Sequence, residues 1–471
     1  MKAALAEEIS TEAIWFGYGG EVTIATRLET PVNKAPSVVT VITDEEIKNL
    51  GYRTFVEILR TVPGFEILKE AGTGVVEPAV RGIASASKVK VMLNGHTVNT
   101  TLTGSAFGRF DDFPVENIKK LEIIRGPGSA MYGENAFTAV INIITKDAAD
   151  IDGVRISSGY GSFDTYEENV VFGERVGKVE VSGMVHYRQT TVFDGEVESD
   201  FQTIFDSLFG SNASLAPGRV HDGRQEYDLN LKIAYEGLWL QGWYSNKNRD
   251  PFIGGNLALK AFRAPSFYEM FRTGSGNKDL DPETIMTYEV ELSYKFNKHV
   301  TSSVSYFYNN IDDLIFLKRG QDTPVYENLT DAHVQGVEME TRVDIIRDNY
   351  IFMNYTFQSP EDNHGNDMPF VAQHHGNFGV NVHYPKYINT NLSAFVSGTR
   401  SRVDDDTRDN LPAYALLNLS VIGKEFFKTL EIQGTVFNML DKDYSDPGAI
   451  FIPKDLPRPG RTYFVGLSYQ F

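Results

Sequence analysis

LEIIRGPGSAMYGENAFTAVINIITK, residues 121–146, is where the chain changes character. It opens as an apolar strand carrying Leu121, Ile123 and Ile124. The strand breaks at Gly126-Pro127-Gly128, because glycine tolerates unusual dihedrals and proline fixes its own. A second β-rich run follows over residues 139–145. Upstream, helical and strand patterns are mixed; downstream, apolar and polar residues alternate with period two as far as Phe471. The stretch is a hinge between two architectures.

Upstream, residues 37–43 (SVVTVIT) read as a strand, and Asp44-Glu45-Glu46 open a helix with Thr43 or Asp44 as N-cap. A second helix over Thr54–Thr61 stops at Pro63-Gly64. Strands are expected at Phe65–Leu68, Pro78–Gly82 and Val89–Asn94, the last turning at Asn94-Gly95. Residues 71–75 and 99–113 are polar, glycine-containing loops, with Phe107 and Arg109 standing out in the second. Residues 35–146 therefore form one small α+β domain.

Downstream, Tyr227, Leu229, Leu231, Ile233 and Tyr235 alternate with Glu226, Asp228, Asn230 and Lys232. Tyr288, Val290, Leu292, Tyr294 and Phe296 alternate with Glu289, Glu291, Ser293 and Lys295, and Val337, Met339 and Val343 with Glu338, Glu340 and Arg342. Such runs recur about fifteen times and reach the 9–11 residues a membrane-crossing strand needs. Connections 191–223, 264–281 and 401–411 are long, whereas the turns at Gly237, Asn297-Lys298, Asp348-Asn349 and Pro385-Lys386 are tight. A water-soluble sandwich would have to cover every one of these apolar faces; a membrane β-barrel need not. The terminal strand puts Tyr463, Val465, Leu467, Tyr469 and Phe471 on one face, as a closing strand would.

Composition agrees. Forty-four basic against 63 acidic residues give a net charge of −19, which argues against nucleic acid as a partner. There are no cysteines, so disulfide frameworks and thiolate metal sites are excluded. No apolar run reaches the roughly 18 residues of a membrane helix. Ala4-Leu5-Ala6 reads either as the stub of a clipped signal or as part of an ordinary polar start. Residues 21–26 (EVTIAT) are β-prone without a second strand nearby, so they read as a tail or as a strand for another protein's sheet.

Residues 21–43, then PAVRGIASASKVKVMLNG (78–95), then 121–146, resemble the plug of TonB-dependent outer-membrane receptors. Ala261-Phe262-Arg263-Ala264-Pro265-Ser266-Phe267, Gly336-Val337-Glu338, Asn438-Met439-Leu440-Asp441 and Pro459-Gly460-Arg461 resemble landmarks of the barrel. The resemblance implies an N-terminal segment (1–34), a plug (35–150) and a transmembrane barrel (151–471) embedded in outer-membrane lipid. It implies active uptake with TonB as partner, through a box formed by Glu21, Val22, Thr23, Ile24, Ala25 and Thr26. By position, ligand would meet plug loops carrying Gly72, Thr73, Gly74, Val75, Thr100, Thr101, Phe107 and Arg109. Arg109, beside Phe107 in an exposed loop, is the residue to favour for an anionic ligand. Arg81, Gly82, Arg125, Gly126, Tyr132 and Gly133 would serve the plug's structure, the two arginines pairing within the plug or with the wall.

The lead expectation is ferric siderophore uptake, with cobalamin as runner-up. Haem ranks lower, since residues 266–281 lack the histidine of haem receptors. A truncated barrel that transports nothing is the alternative from another class. That alternative arises because family members have 22 strands, whereas about 320 residues hold only some 14–16. The break is expected near residues 250–256, with about seven strands missing and a plug hard to contain in what remains.

No cofactor, metal site or enzymatic activity is expected. Gly126-Pro127-Gly128 is not continued to a dinucleotide fingerprint, because Met131 stands at its sixth position. Asp441, Asp443 and Asp446 lack the glycine and terminal glutamate of a calcium loop. Asp404-Asp405-Asp406 reads as a solvated loop, and His374-His375 point to opposite faces of a strand.

Overall fold

The computed structural model describes residues 38–69, 75–100, 104–108, 110–191, 223–236, 238–249, 284–297, 299–312, 332–346, 349–362, 365–383, 387–403, 406–427, 429–448 and 454–471. It also describes Glu21, Val22, Ile24, Thr30, Pro31 and short pieces within 195–219 and 315–328. The expected breaks near 250–256 and the connection 264–281 lie outside these residues.

In the N-terminal part, a five-stranded sheet runs Val39–Thr43, Ile118–Arg125, Ala139–Thr145, Val89–Leu93, His96–Thr97. The two strands of the 121–146 stretch are antiparallel neighbours, Arg125 opposite Ala139 and Leu121 opposite Ile143. Between them, residues Ser129–Tyr132 make a short helix that the sequence reading did not anticipate. Gly126, at φ 113, makes the break after the first strand. Asn94 and Gly95, both at positive φ, make the expected turn.

Both expected helices form, as Asp44–Leu50 and Phe55–Leu59. Each starts at a capping box in which a threonine (Thr43, Thr54) caps a backbone N–H and a glutamate (Glu46, Glu57) reaches back. Thr54→Ala should therefore cost about 1 kcal/mol in thermal unfolding of this domain; no change would mean the five-residue helix is held by packing alone. Packing is substantial: Phe55, Ile58 and Leu59 are fully buried against Phe65, Phe113, Leu121 and Ile141. A three-stranded sheet, Phe65–Lys69, Val76–Val80 and Ile83–Ala84, flanks this core. The strand expected at Pro78–Gly82 is thus two residues earlier, and Arg81-Gly82 form the turn that follows it.

The remainder is one antiparallel sheet of fourteen strands among the described residues. Its spatial order begins at Leu238–Arg249, runs back through Arg224–Tyr235, Val179–Thr190 and Thr165–Val176 to Gly153–Gly161, and joins the terminal strand Thr462–Gln470. From there it runs through Leu430–Phe437, Tyr414–Phe426, Ile388–Ser397, His374–His383, Asn349–Asp362, Ala332–Ile346 and Val300–Asp312 to Thr284–Lys295. The terminal strand thus pairs with the first strand of this sheet, Arg155 opposite Gln470.

The sidedness of the wall is inverted relative to a soluble protein. Tyr227, Leu229, Leu231 and Ile233 are exposed, while Glu226, Asp228 and Asn230 on the same strand are 1–3% exposed. Apolar groups outside and polar groups inside suit a sheet with lipid on one face and a hydrated or plugged lumen on the other. No described helix is long and apolar enough to cross a membrane; strands do the crossing.

Candidate functional site

The plug is fastened to the polar face of the wall. Arg81 lies in its turn at φ 48, with its backbone N–H donating to the Gly64 carbonyl at 2.8 Å. Its guanidinium donates to Glu338 from Nε (2.9 Å) and Nη2 (3.0 Å), also meets Glu289, and lies 4.4 Å over the Phe307 ring. Arg125 reaches the same Glu338 from Nη1 (2.8 Å) and Glu340 from Nη2 (2.6 Å). Burial opposes the charge on Arg81, but Glu338 and Glu289 outweigh it and raise its pKa. The next residue, Gly82 (φ 80), brings the backbone so close that a Cβ would lie 2.9 Å from Pro360. Elsewhere on the plug, Glu66 accepts from Ala372 N (3.0 Å) and Lys69 N donates to Asp446 (3.1 Å).

Near the other end of the wall's strand order, Arg224 pairs with Asp111 (3.4 Å) and Asp112 (3.2 Å) of the plug, and Lys247 also meets Asp112. Burial works against the charge on Asp112. A hydrogen bond from Glu226 and the cations Lys247 and Arg224 nevertheless hold its carboxyl well below the usual range.

Of the expected TonB box, Glu21, Val22 and Ile24 are described; Thr23, Ala25 and Thr26 lie outside the described residues. Glu21 and Val22 pair antiparallel with Pro31 and Thr30. Val22 and Ile24 are fully buried against Val39, Val41, Met92, Ile124, Ala136 and Val140. Ile24 N donates to Glu122 Oε2 (3.1 Å), and the Tyr132 hydroxyl donates to the Ile24 carbonyl. Tyr132 comes from the short helix, which ends at Gly133 with φ 66. Val22 and Ile24 thus lie against the plug sheet.

Of the expected ligand loops, Gly72, Thr73, Gly74, Thr101 and Arg109 lie outside the described residues. Val75 is half-buried, and a Cβ at Gly108 would lie 3.4 Å from it, so the two loops meet. The Thr100 hydroxyl donates to the Ser105 carbonyl at 3.3 Å, closing its loop on itself. Phe107 needs correction. It is not on the loop surface: it is 5% exposed and stacks on Phe55 at 6.1 Å, inside the plug core. An aromatic ring at that position is stabilised by packing against the helix rather than presented to solvent.

Beside these loops a cavity of about 270 Å³ opens between plug and wall. Lys69 and Val76 flank it from one loop and Asp111 and Asp112 from the other. It is lined by six cations (Arg53, Arg60, Lys69, Arg188, Arg224, Arg458) and three carboxylates (Glu57, Asp111, Asp112), in a chain that is acidic overall. Several of these charges are already used. Glu57 accepts from the backbone N–H groups of Arg53 (2.8 Å) and Thr54 (3.3 Å), and Arg458 pairs with Asp446 at 3.3 Å. Arg53 lies 4.5 Å over the Phe464 ring, and its Nε and Nη1, like Arg188 Nε, have no hydrogen-bond partner among the described residues. Arg53 and Arg188 were not singled out from sequence: one precedes a capping box and the other sits in a regular strand.

A fourteen-stranded antiparallel wall, apolar on its outer face and holding a fastened α+β plug, with a short strand packed on the plug sheet, defines a plugged outer-membrane receptor. Residues 31–140 match the TonB-dependent Receptor Plug Domain and residues 258–439 the TonB dependent receptor-like beta-barrel. The vitamin B12 transporter BtuB of Vibrio vulnificus (strain CMCP6) is 33% identical, with 96% of this chain and 95% of that protein covered. BtuB of Photobacterium profundum is 22% identical over the same shares. Among solved structures, the ferric enterobactin receptor PfeA of Pseudomonas aeruginosa superposes with TM-score 0.69 at 14% identity, covering 93% of this chain and all of that one. The copper transporter OprC superposes with TM-score 0.71 at 12% identity, covering 98% and 100%. The chain belongs to the TonB-dependent receptors. These are outer-membrane transport proteins and not enzymes.

Proposed function

We propose that this receptor takes up a ferric siderophore, with TonB engaging residues 21–26 from the periplasm. The supporting observation is the cavity between plug and wall, where cations outnumber carboxylates two to one and guanidinium N–H groups stand without hydrogen-bond partners among the described residues. Ferric complexes of catecholate ligands are anionic, and charge-assisted hydrogen bonds from arginine suit their oxygens. On this reading Gly72, Thr73, Gly74, Val75, Thr100, Thr101 and Arg109 form the outer contact surface, and the cavity lies beneath it. The chain then divides into an N-terminal segment to residue 34, a plug to residue 150 and the wall beyond.

A second reading, a corrinoid receptor, has its own support: relatives aligned over 96% of this chain include vitamin B12 transporters. A binding screen of the purified receptor against a ferric catecholate, a ferric hydroxamate, haem and cyanocobalamin separates the two. Arg53→Gln and Arg188→Gln should each weaken ferric catecholate binding by about tenfold, the value of one lost charge-assisted contact. Binding of cyanocobalamin alone, unaffected by either substitution, would establish the second reading instead. Unchanged iron-limited growth on every chelate, together with unchanged cobalamin uptake, after deletion of the gene would leave a barrel without transport.

A further inference from the structure

The wall meets the plug differently along two stretches of its strand order. On strands Asn349–Asp362, His374–His383, Ile388–Ser397 and Leu430–Phe437, direct hydrogen bonds hold the plug's helices and the turn after them. Asn354 Nδ2 donates to the Thr61 carbonyl (2.7 Å), Asn377 Nδ2 to the Arg60 carbonyl (2.9 Å) and Gln433 Nε2 to the Lys48 carbonyl (3.0 Å). Gly64 N donates to Thr356 Oγ1 at 2.9 Å, and Asn389 Nδ2 to Asn49 Oδ1 at 3.0 Å. Most of these bonds use the plug's main chain, so this part of the plug cannot leave the wall without breaking them.

Strands Thr165–Val176, Val179–Thr190 and Arg224–Tyr235 present a different face. Their inward residues pair across the ladder as Thr190–Arg224, Arg188–Glu226, His186–Asp228, Met184–Asn230 and Ser182–Lys232, and Met184 alone of these is apolar. Glu167 and Asn169 extend the Arg188 and His186 rows onto the next strand. Glu167 Oε2, His186 Nε2, Arg188 Nε and Asp228 Oδ2 are buried atoms with no hydrogen-bond partner among the described residues. Buried polar atoms of this kind take water as their partner. The plug touches this line through side chains: Asp111 and Asp112 at Arg224, Asn117 Nδ2 at Asn230 Oδ1 (3.4 Å), and Asp147 at Lys232.

We propose that this polar line is a hydrated seam along which cargo leaves the cavity for the periplasm, a route that rests on the cavity being the ligand's site. The seam opens into the cavity, because Arg188, Thr190, Arg224, Asp111 and Asp112 line both. Its far end, the Ser182–Lys232 row, lies beside the tight turn at 236–237, and short turns mark the periplasmic side. Parting two wetted polar faces exposes little apolar surface and breaks few direct bonds. This interface therefore separates before the one that holds the helices.

One apolar collar closes the seam at rest. Ile151, Val171 and Met184 are buried together at the level of the Met184–Asn230 row, with Trp243 packed against them. Apolar constrictions hold back water and solutes. Val171 and Met184 face each other in the wall ladder and are fixed by it. Ile151 ends the short plug helix Ala148–Ile151, which lies so close to the wall that a Cβ at Gly173 would stand 2.8 Å from the Ala148 carbonyl oxygen. The plug segment 147–151 is thus the part that must withdraw for the seam to open.

Cross-links test the route in a chain with no cysteine of its own. Asn117→Cys/Asn230→Cys bridges the seam and Asn49→Cys/Asn389→Cys bridges the helix side, at two places where asparagine side chains already meet. Each pair is joined by a short reducible bis-thiol reagent, and import of a radioiron catecholate is read beside its surface binding. The seam bridge should abolish import, leave binding unchanged and be reversed by reductant, while the helix-side bridge leaves import intact. Import that survives the seam bridge, or is lost with either bridge alike, overturns the proposal. A second measurement needs no cargo. His186, Asp228, Thr356 and Asn381 are all at most 3% exposed. His186→Cys and Asp228→Cys should nevertheless react with a small charged thiol reagent in the folded receptor, and Thr356→Cys and Asn381→Cys should stay protected. Equal reactivity of the two sets, or the reverse order, overturns the hydrated seam. A receptor that neither binds nor imports the catecholate fails the cavity reading instead, and the labelling pattern still decides the seam.

Discussion

Receptor lacking residues 21–26 is expected to bind the proposed ferric chelate at the cell surface and to import none. The expectation rests on how the segment is held. Val22 and Ile24 are buried, Ile24 N donates to Glu122, and Tyr132 donates to the Ile24 carbonyl, so these residues are docked on the plug sheet. A β-prone strand held by two side chains and a few hydrogen bonds can be exchanged onto another protein's sheet edge, where main-chain hydrogen bonds replace those it leaves. Ile24→Pro is the sharper variant, because proline removes the N–H and disfavours any sheet partner. It should abolish uptake as completely as the deletion, with binding affinity unchanged. Tyr132→Phe, which removes one hydroxyl, should leave uptake intact. Uptake that survives both the deletion and Ile24→Pro would dissociate this segment from energy coupling.

The largest stability effect is expected at Glu338. One carboxylate, 1% exposed, receives two hydrogen bonds from Arg81 and one from Arg125. Glu338→Ala leaves two guanidinium groups buried with Glu289 and Glu340 alone to answer them. Breaking a buried pair while its partner stays charged costs about 3–5 kcal/mol. Hydrogen exchange in residues 76–84 and 118–125 should accelerate accordingly, while exchange in the wall strands stays slow. The double variant Arg81→Met/Arg125→Met, which removes the stranded charges, should recover part of the loss. A change below about 1 kcal/mol, the range of an exposed ion pair, would mean that water reaches these groups and the fastening is weak.

The fold was legible because its determinants are local. Period-two alternation along Glu226–Tyr235 displays which face meets lipid, and the threonine–glutamate pairs at 43/46 and 54/57 mark two helix starts that formed at those residues. What the chain does not display locally was harder. Arg81 and Glu338 are 257 residues apart, so the fastening had no short-range signature, although both residues fell within stretches that stood out. The four-residue helix Ser129–Tyr132 is too short to carry periodicity, and its place between two glycines reads as a loop. Phe107 was misplaced because its polar, glycine-rich surroundings suggested exposure. Its spacing of three from Phe110, and of three more to Phe113, was the available sign of a tight turn that folds aromatic rings inward. The cavity cations come from a helix start, two plug positions, two wall strands and an outer loop, and only tertiary structure brings them together.

Single cysteines along Arg224–Tyr235, each carrying a small environment-sensitive fluorophore, test the central feature of the molecule in reconstituted bilayers. Lipids bearing a quencher in their acyl chains should quench label at Tyr227, Leu229 and Leu231 and spare label at Asp228 and Asn230. Uniform quenching along the strand, or none at any position, would contradict a wall that turns its apolar face to lipid and its polar face to the plug.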